Sequence, residues 1–168
     1  MRELKTQSRY ASSEYRELLV MGLLSTGDPG MRKEIRDYYE DGENSGRLEF
    51  PSMLNIHEDP WIEEYLWELW RTPDKHINDE KYLYPVQTNA LGTAIWHIAE
   101  KQNFPVKARW VQACVTVETG PLRKSMSLDE DCAKLAYFLI GEKQNRKWLD
   151  DKGWTARTLS QWLAAHPN

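Results

Sequence analysis

The stretch Pro105-Val106-Lys107-Ala108-Arg109-Trp110-Val111-Gln112-Ala113-Cys114-Val115-Thr116-Val117-Glu118-Thr119-Gly120-Pro121 decides the fold class, because it reads two ways. Val106, Trp110, Cys114 and Val117 recur at helical spacing, whereas Val111, Ala113, Val115 and Val117 alternate as in a half-buried strand. Pro105 in a first turn and Gly120-Pro121 as a stop favour the helix. The β-branched run Val115-Thr116-Val117 keeps a short strand near 110–118 as the alternative.

Downstream the signals are helical. Ser127-Leu128-Asp129-Glu130 has the form of a capping box, with acids in the first turn to suit the helix dipole. Leu128, Cys132, Leu135 and Leu139 then line one stripe, which puts Cys132 in the core as an inert thiol. The last helix is expected over 155–166, with Trp154 before the cap and Leu159 at the fourth helical position forming a hydrophobic staple.

Upstream, Thr88 or Asn89 opens a helix to about residue 102, with Leu91, Ala94, Ile95 and Ile98 on one face. Residues 72–84 are irregular. Asp59-Pro60 places a cap and a proline ahead of the aromatic helix 61–71, and Asp28-Pro29 does the same for a helix carrying Met31, Ile35, Tyr38 and Tyr39. Between them, Gly42, Asn44, Ser45, Gly46 and Pro51 break any period and leave one long loop over 41–59. Ser13 caps a first helix over 13–26, whose second half is apolar all round and is therefore expected to be central. The sum is an all-α bundle of about six to seven helices, a single domain over 1–168.

With 40% apolar and 29% charged residues the composition is globular, neither disordered nor membrane-like. No run approaches the roughly 20 apolar residues of a membrane span, and Met1-Arg2-Glu3-Leu4-Lys5 opens no secretory signal, so the expected location is the cytoplasm. Cys114 and Cys132 are expected as reduced thiols. The acidic half, residues 1–84, has 11 Lys+Arg against 18 Asp+Glu, net −7; the basic half, 85–168, has 11 against 8, net +3. Uneven but solvated helix surfaces account for this, and so does orientation on a partner or head-to-tail matching of two copies.

Signals for chemistry are sparse. His57, His76, His97 and His166 show no metal-ligand spacing, so neither a metal nor another cofactor is expected. Glu63, Glu64 and Glu68 share one side of the 61–71 helix, where an acidic catalytic site would need facing carboxylates; Asp129, Glu130 and Asp131 are already accounted for by a capped first turn. Solvated faces are the expectation for these acids. No nucleophile elbow, Walker loop, G-x-G-x-x-G or Cys-x-x-Cys is present, no catalytic residue is assigned, and an enzyme is the second alternative.

The first alternative is a nucleic-acid-binding regulator. Residues 143–148, a turn at Gly153 and the last helix resemble a helix-turn-helix, with Arg157, Thr158 and Gln161 directed away from the Leu159/Leu163 stripe toward a groove and Lys147 as a further nucleic-acid contact. Asp150, Asp151 and a pI of about 5.6 count against it.

The tryptophans, eight in all, say most. At 100° per residue, Trp61, Ile62, Tyr65, Leu66, Leu69 and Trp70 span half of the 61–71 helix, while Trp67 falls among Glu63, Glu64, Glu68 and Arg71. Trp96 projects from the side of its helix opposite the apolar centre, beside Thr93 and Glu100. Large aromatics flanked by polar side chains have the composition of interface anchors. The expectation is a non-enzymatic helical module that binds a protein partner or self-associates as a homo-oligomer through a surface bearing Trp67, Trp96, Glu63, Glu64 and Arg71. Cover by another helix or by the 41–59 loop is the competing account.

Overall fold

A computed structural model of the chain describes residues 22, 28–30, 32–33, 36, 60–71, 85–120, 126–143, 151 and 153–167. Five helices organise them: α1 (Pro60–Arg71), α2 (Pro85–Ile95), α3 (Ala108–Thr119), α4 (Met126–Ile140) and α5 (Trp154–Ala165). A π-helical turn, Trp96–Glu100, continues α2. The described residues are thus helical, with no strand among them. None of the described helices is long and apolar enough to cross a membrane. Apart from Gly22, which is helical, the expected helix over 13–26 lies outside the described residues, as do the loop over 41–59 and Lys147.

The deciding stretch is helix. Trp110, Val111, Ala113, Cys114, Val117 and Glu118 are buried, the i, i+1, i+3, i+4, i+7, i+8 pattern of one helical face. Its β-branched residues are accommodated locally: the Thr116 hydroxyl donates to the Gln112 carbonyl at 3.0 Å and the Thr119 hydroxyl to that of Val115 at 2.8 Å. The helix starts three residues after Pro105, at Ala108, and stops at Gly120 as the sequence indicates. A Cβ on Gly120 would stand 2.7 Å from the Thr116 carbonyl oxygen, so only glycine lets the chain leave the helix this tightly.

The proline-led starts are visible. Asp28 Oδ1 accepts a 2.8 Å hydrogen bond from the Gly30 amide, with Pro29 at the first helical position, and α1 begins at Pro60. Three starts differ from the sequence expectation. The second helix of the core, α2, opens at Pro85 rather than Thr88 or Asn89, again with proline at the first position. Gln87, in its first turn, donates its side-chain amide to the Trp70 carbonyl at 2.6 Å and so satisfies one of the acceptors left open at the end of α1. The fourth helix starts at Met126, one residue ahead of Ser127, and α5 starts at Trp154, one ahead of Thr155.

Helix α2 is the hub of the described residues, meeting α1, α3 and α4, while α5 lies on α3 and α4. Its Ala90, Leu91, Thr93, Ala94 and Ile95 are buried, as are His97 and Ile98 of the π-helical turn. Leu128, Cys132 and Leu135 of α4, Ile62 and Leu66 of α1, Trp110 and Val117 of α3 and Leu159 of α5 complete one core. Each large apolar side chain enclosed there contributes about 1.5 to 3 kcal/mol. Cys114 and Cys132 are free and fully buried; burial, then the neighbouring Cys114 thiol, pushes the Cys132 thiol well up, the condition of an unreactive thiol.

Candidate functional site

Helix α1 has a sharply divided surface. Pro60, Glu64, Glu68 and Arg71 are exposed, Ile62, Glu63, Tyr65 and Leu66 are buried, and Trp61, Trp67, Leu69 and Trp70 are half-buried between them. Trp67 stands at the border of the polar face, half-buried and packed against the core, where α3 meets α1. The Trp67 ring stands edge-on to buried Trp110 of α3, with centroids 5.1 Å apart and planes at 85°. The Arg109 guanidinium lies over both indoles, 5.1 Å from the Trp67 centroid and 5.6 Å from that of Trp110.

Two carboxylates anchor this arrangement. Glu63 Oε1 accepts from Trp110 Nε1 at 3.0 Å and from Arg109 at 2.8 Å, and its Oε2 accepts from Lys107 Nζ at 2.6 Å. Glu64 takes both Arg109 nitrogens, at 2.9 and 2.7 Å, in a two-pronged contact. The expectation that these acids form a solvated face is corrected for Glu63, whose side chain is 6% exposed, and kept for Glu64, at 56%. Burial alone drives the Glu63 carboxyl up, but hydrogen bonds from Lys107, Arg109 and Trp110 outweigh it and leave it below the ordinary value. The Arg109 contact holds Glu64 down at about 2. Carboxylates this saturated with donors and this acidic are poor proton shuttles near neutral pH. They fix geometry: the network clamps the first turn of α1 to the start of α3 and holds Arg109 over the Trp67 indole.

Sequence inspection misses Lys107, Arg109 and Trp110 as members of this site. Trp110 reads as core, and two cations outside any motif carry no signal until α3 is set beside α1. Arg71 is exposed on the same side of α1 as Trp67, four residues on.

Trp96 occupies a different setting. The helix is π-wound from Trp96 to Glu100, closed by the Lys101 amide donating to the Trp96 carbonyl at 3.0 Å, so the angles of a regular α-helix fail there. Thr93, taken from the sequence to share an outward side with Trp96, is buried. The physical reason is that α2 meets α1, α3 and α4, so its covered arc extends beyond the apolar stripe to Thr93. Trp96 is half-buried, edge-on to His97 at 5.3 Å, with Lys101 Nζ 4.9 Å above its ring. Buried His97 stacks on Phe104 at 4.2 Å, and its Nδ1 lies 2.9 Å from Asn103 Oδ1. The wound end turns back through Gln102, at φ 56°.

No family model, curated protein or solved structure matches this chain. The residues themselves therefore carry the functional argument. Of those assigned to a nucleic-acid face, Thr158 departs from it. Thr158 is buried with Thr155 and Leu159, which corrects its expected outward direction: positions 155, 158, 159 and 162 form the stripe of α5 that meets its neighbours. Arg157 pairs with Asp151, whose carboxylate also accepts from the Gly153 amide at 3.1 Å, and Gln161 is exposed. Among the described residues no group of three or more His, Cys, Asp or Glu side chains is placed to hold a metal.

Proposed function

We propose that this chain is a non-enzymatic helical protein-binding module whose contact surface centres on Trp67. The supporting observation is that the Trp67 indole is only partly buried at the border of the polar face of α1, edge-on to Trp110 and under Arg109. A large aromatic of fixed orientation loses little entropy on docking, which is the property of residues that dominate interface energies. Glu64 and Arg71, both exposed beside it, supply a charged rim. Trp96, half-buried beside His97 and Lys101, lies on a different segment and is left out of the proposed surface.

The test is a photo-crosslinking amino acid placed at exposed position 60, on the same side of α1, and at exposed position 142 as a control, with the protein illuminated in cells. Adducts formed from position 60, absent from position 142 and lost on Trp67→Ala, are the expected result. Equal adducts from both positions, or none from position 60, would overturn the proposal. Because Trp67 also packs on Trp110, the Trp67→Ala protein is first checked for an unchanged helical spectrum, and Trp67→Phe, which keeps an aromatic ring, should retain part of the adduct yield.

A further inference from the structure

We propose that the junction of α2, its π-turn and α4 is a pH-sensitive latch, in which one ammonium, that of Lys134, serves two carboxylates, Asp131 and Glu100, and a proton takes the place of a second cation. Lys134 Nζ lies 3.2 Å from Asp131 Oδ1 and 3.3 Å from Glu100 Oε1, so it ties α4 to the π-turn that continues α2. The two acids are unequal. Glu100 is 43% exposed and open to solvent, whereas Asp131 is 25% exposed and its Oδ2 faces Gly92 of α2, where a Cβ would stand only 2.9 Å away. Among the described residues Lys134 is the one donor that reaches the Asp131 carboxylate. Two carboxylates that share too few donors favour protonation of the less solvated one.

The surrounding elements supply no further cation. Helix α2 has no titratable side chain. The π-turn brings Glu100 and His97, and His97 is engaged by Phe104 and Asn103. Helix α4 itself brings Glu130 and the Cys132 thiol, and α3 brings Cys114 and Glu118, which bear on Cys132. Lys107 and Arg109 of α3 are held by Glu63 and Glu64, and Arg157 of α5 by Asp151. Burial raises the Asp131 carboxyl, Lys134 pulls it down, Glu100 and Glu130 push it up, and it ends above its ordinary value. The folded chain therefore holds a proton that the unfolded chain has released, a contribution complete below the unfolded value and lost as pH rises through the folded one. Mild acid neutralises Asp131, leaves Lys134 to Glu100 and tightens the junction. Above that window a charge short of donors sits against α2 and loosens it.

Hydrogen exchange of the full chain between pH 7 and pH 4, read as protection factors corrected for the intrinsic rate, tests this. The Lys101 amide, which closes the π-turn on the Trp96 carbonyl, and the amides of the α4 segment around Asp131 should gain protection several-fold as pH falls, while those in the second half of α5 should not. Asp131→Asn, a permanent stand-in for the protonated acid, should show the raised protection already at pH 7 and lose the pH dependence. Glu100→Gln, at the more exposed partner, removes the competing carboxylate, gives Lys134 wholly to Asp131 and should lessen the gain. Should Asp131→Asn fail to fold, Glu100→Gln decides. Protection that is flat or falls in the wild type as pH is lowered, a gain that either folded variant leaves unchanged, or an equal gain in α5 overturns the latch.

Discussion

Trp110 Nε1 donates a 3.0 Å hydrogen bond to Oε1 of Glu63, a residue 47 positions earlier, and both side chains are withdrawn from water. A buried carboxylate costs several kcal/mol unless donors replace its hydration, and here an indole, an ammonium and a guanidinium do so together. Trp110→Phe should keep most of the ring volume and remove this one donor. The expected loss is about 1.5 to 3 kcal/mol, the range for a hydrogen bond to a charged group, read as a shift in the urea midpoint. An unchanged midpoint would mean that Lys107 and Arg109 alone satisfy Glu63.

Acid sensitivity follows from Glu64. Its carboxyl is held at about 2, first by the Arg109 hydrogen bonds, against an ordinary value near 4.5. A depressed folded-state value means that the contribution is present in full above the unfolded value and is lost as pH falls through the folded one. Glu64→Gln should therefore narrow the difference in stability between pH 5 and pH 2, measured by denaturant titration at several pH values. Because the side chain is largely exposed, solvent screens the effect and it should shrink further in high salt.

Gly120→Ala brings a methyl group within 2.7 Å of the backbone oxygen of Thr116. Backbone cannot give way as a side-chain tip can, so the end of α3 must move. A loss of about 1 to 3 kcal/mol is expected in thermal or chemical unfolding.

Gln102 is the one described non-glycine residue with positive φ, at 56°. The Asn103 amide closes this end on the His97 carbonyl at 3.1 Å, a helix-terminating loop one residue wider than usual because the turn before it is π-wound. Gln102→Gly should stabilise the fold by up to about 1 kcal/mol, since glycine adopts this conformation without a Cβ penalty. Destabilisation would show that the Gln102 side chain makes a compensating contact.

The helices themselves were legible. Stripes such as Leu128, Cys132 and Leu135, and the proline that opens α1, are local facts of spacing and φ preference, and they survive in any tertiary setting. Even the ambiguous stretch at 106–119 is decided by local features, its threonine hydroxyls bonding back along the helix. A helical wheel sets Trp67 among Glu63, Glu64, Glu68 and Arg71, because angle depends only on sequence position, and the fold places it half-buried at the edge of that polar face.

What stands opposite that edge is another matter. Glu63 is hidden because Lys107, Arg109 and Trp110 arrive from α3, more than forty residues away in sequence. Without those donors a glutamate belongs in water, and sequence periodicity counts it as outward. Thr93 and Thr158 are buried for a related reason: their helices meet neighbours on sides that composition marks as polar. At Trp96 the π-turn changes the register itself, so the angle read from the sequence no longer applies. Spacing along the chain settled which segments are helices and which apolar stripes they carry; only the packing of α3 against α1 decided which charges could leave water, because a charge leaves water only where its partners are already held.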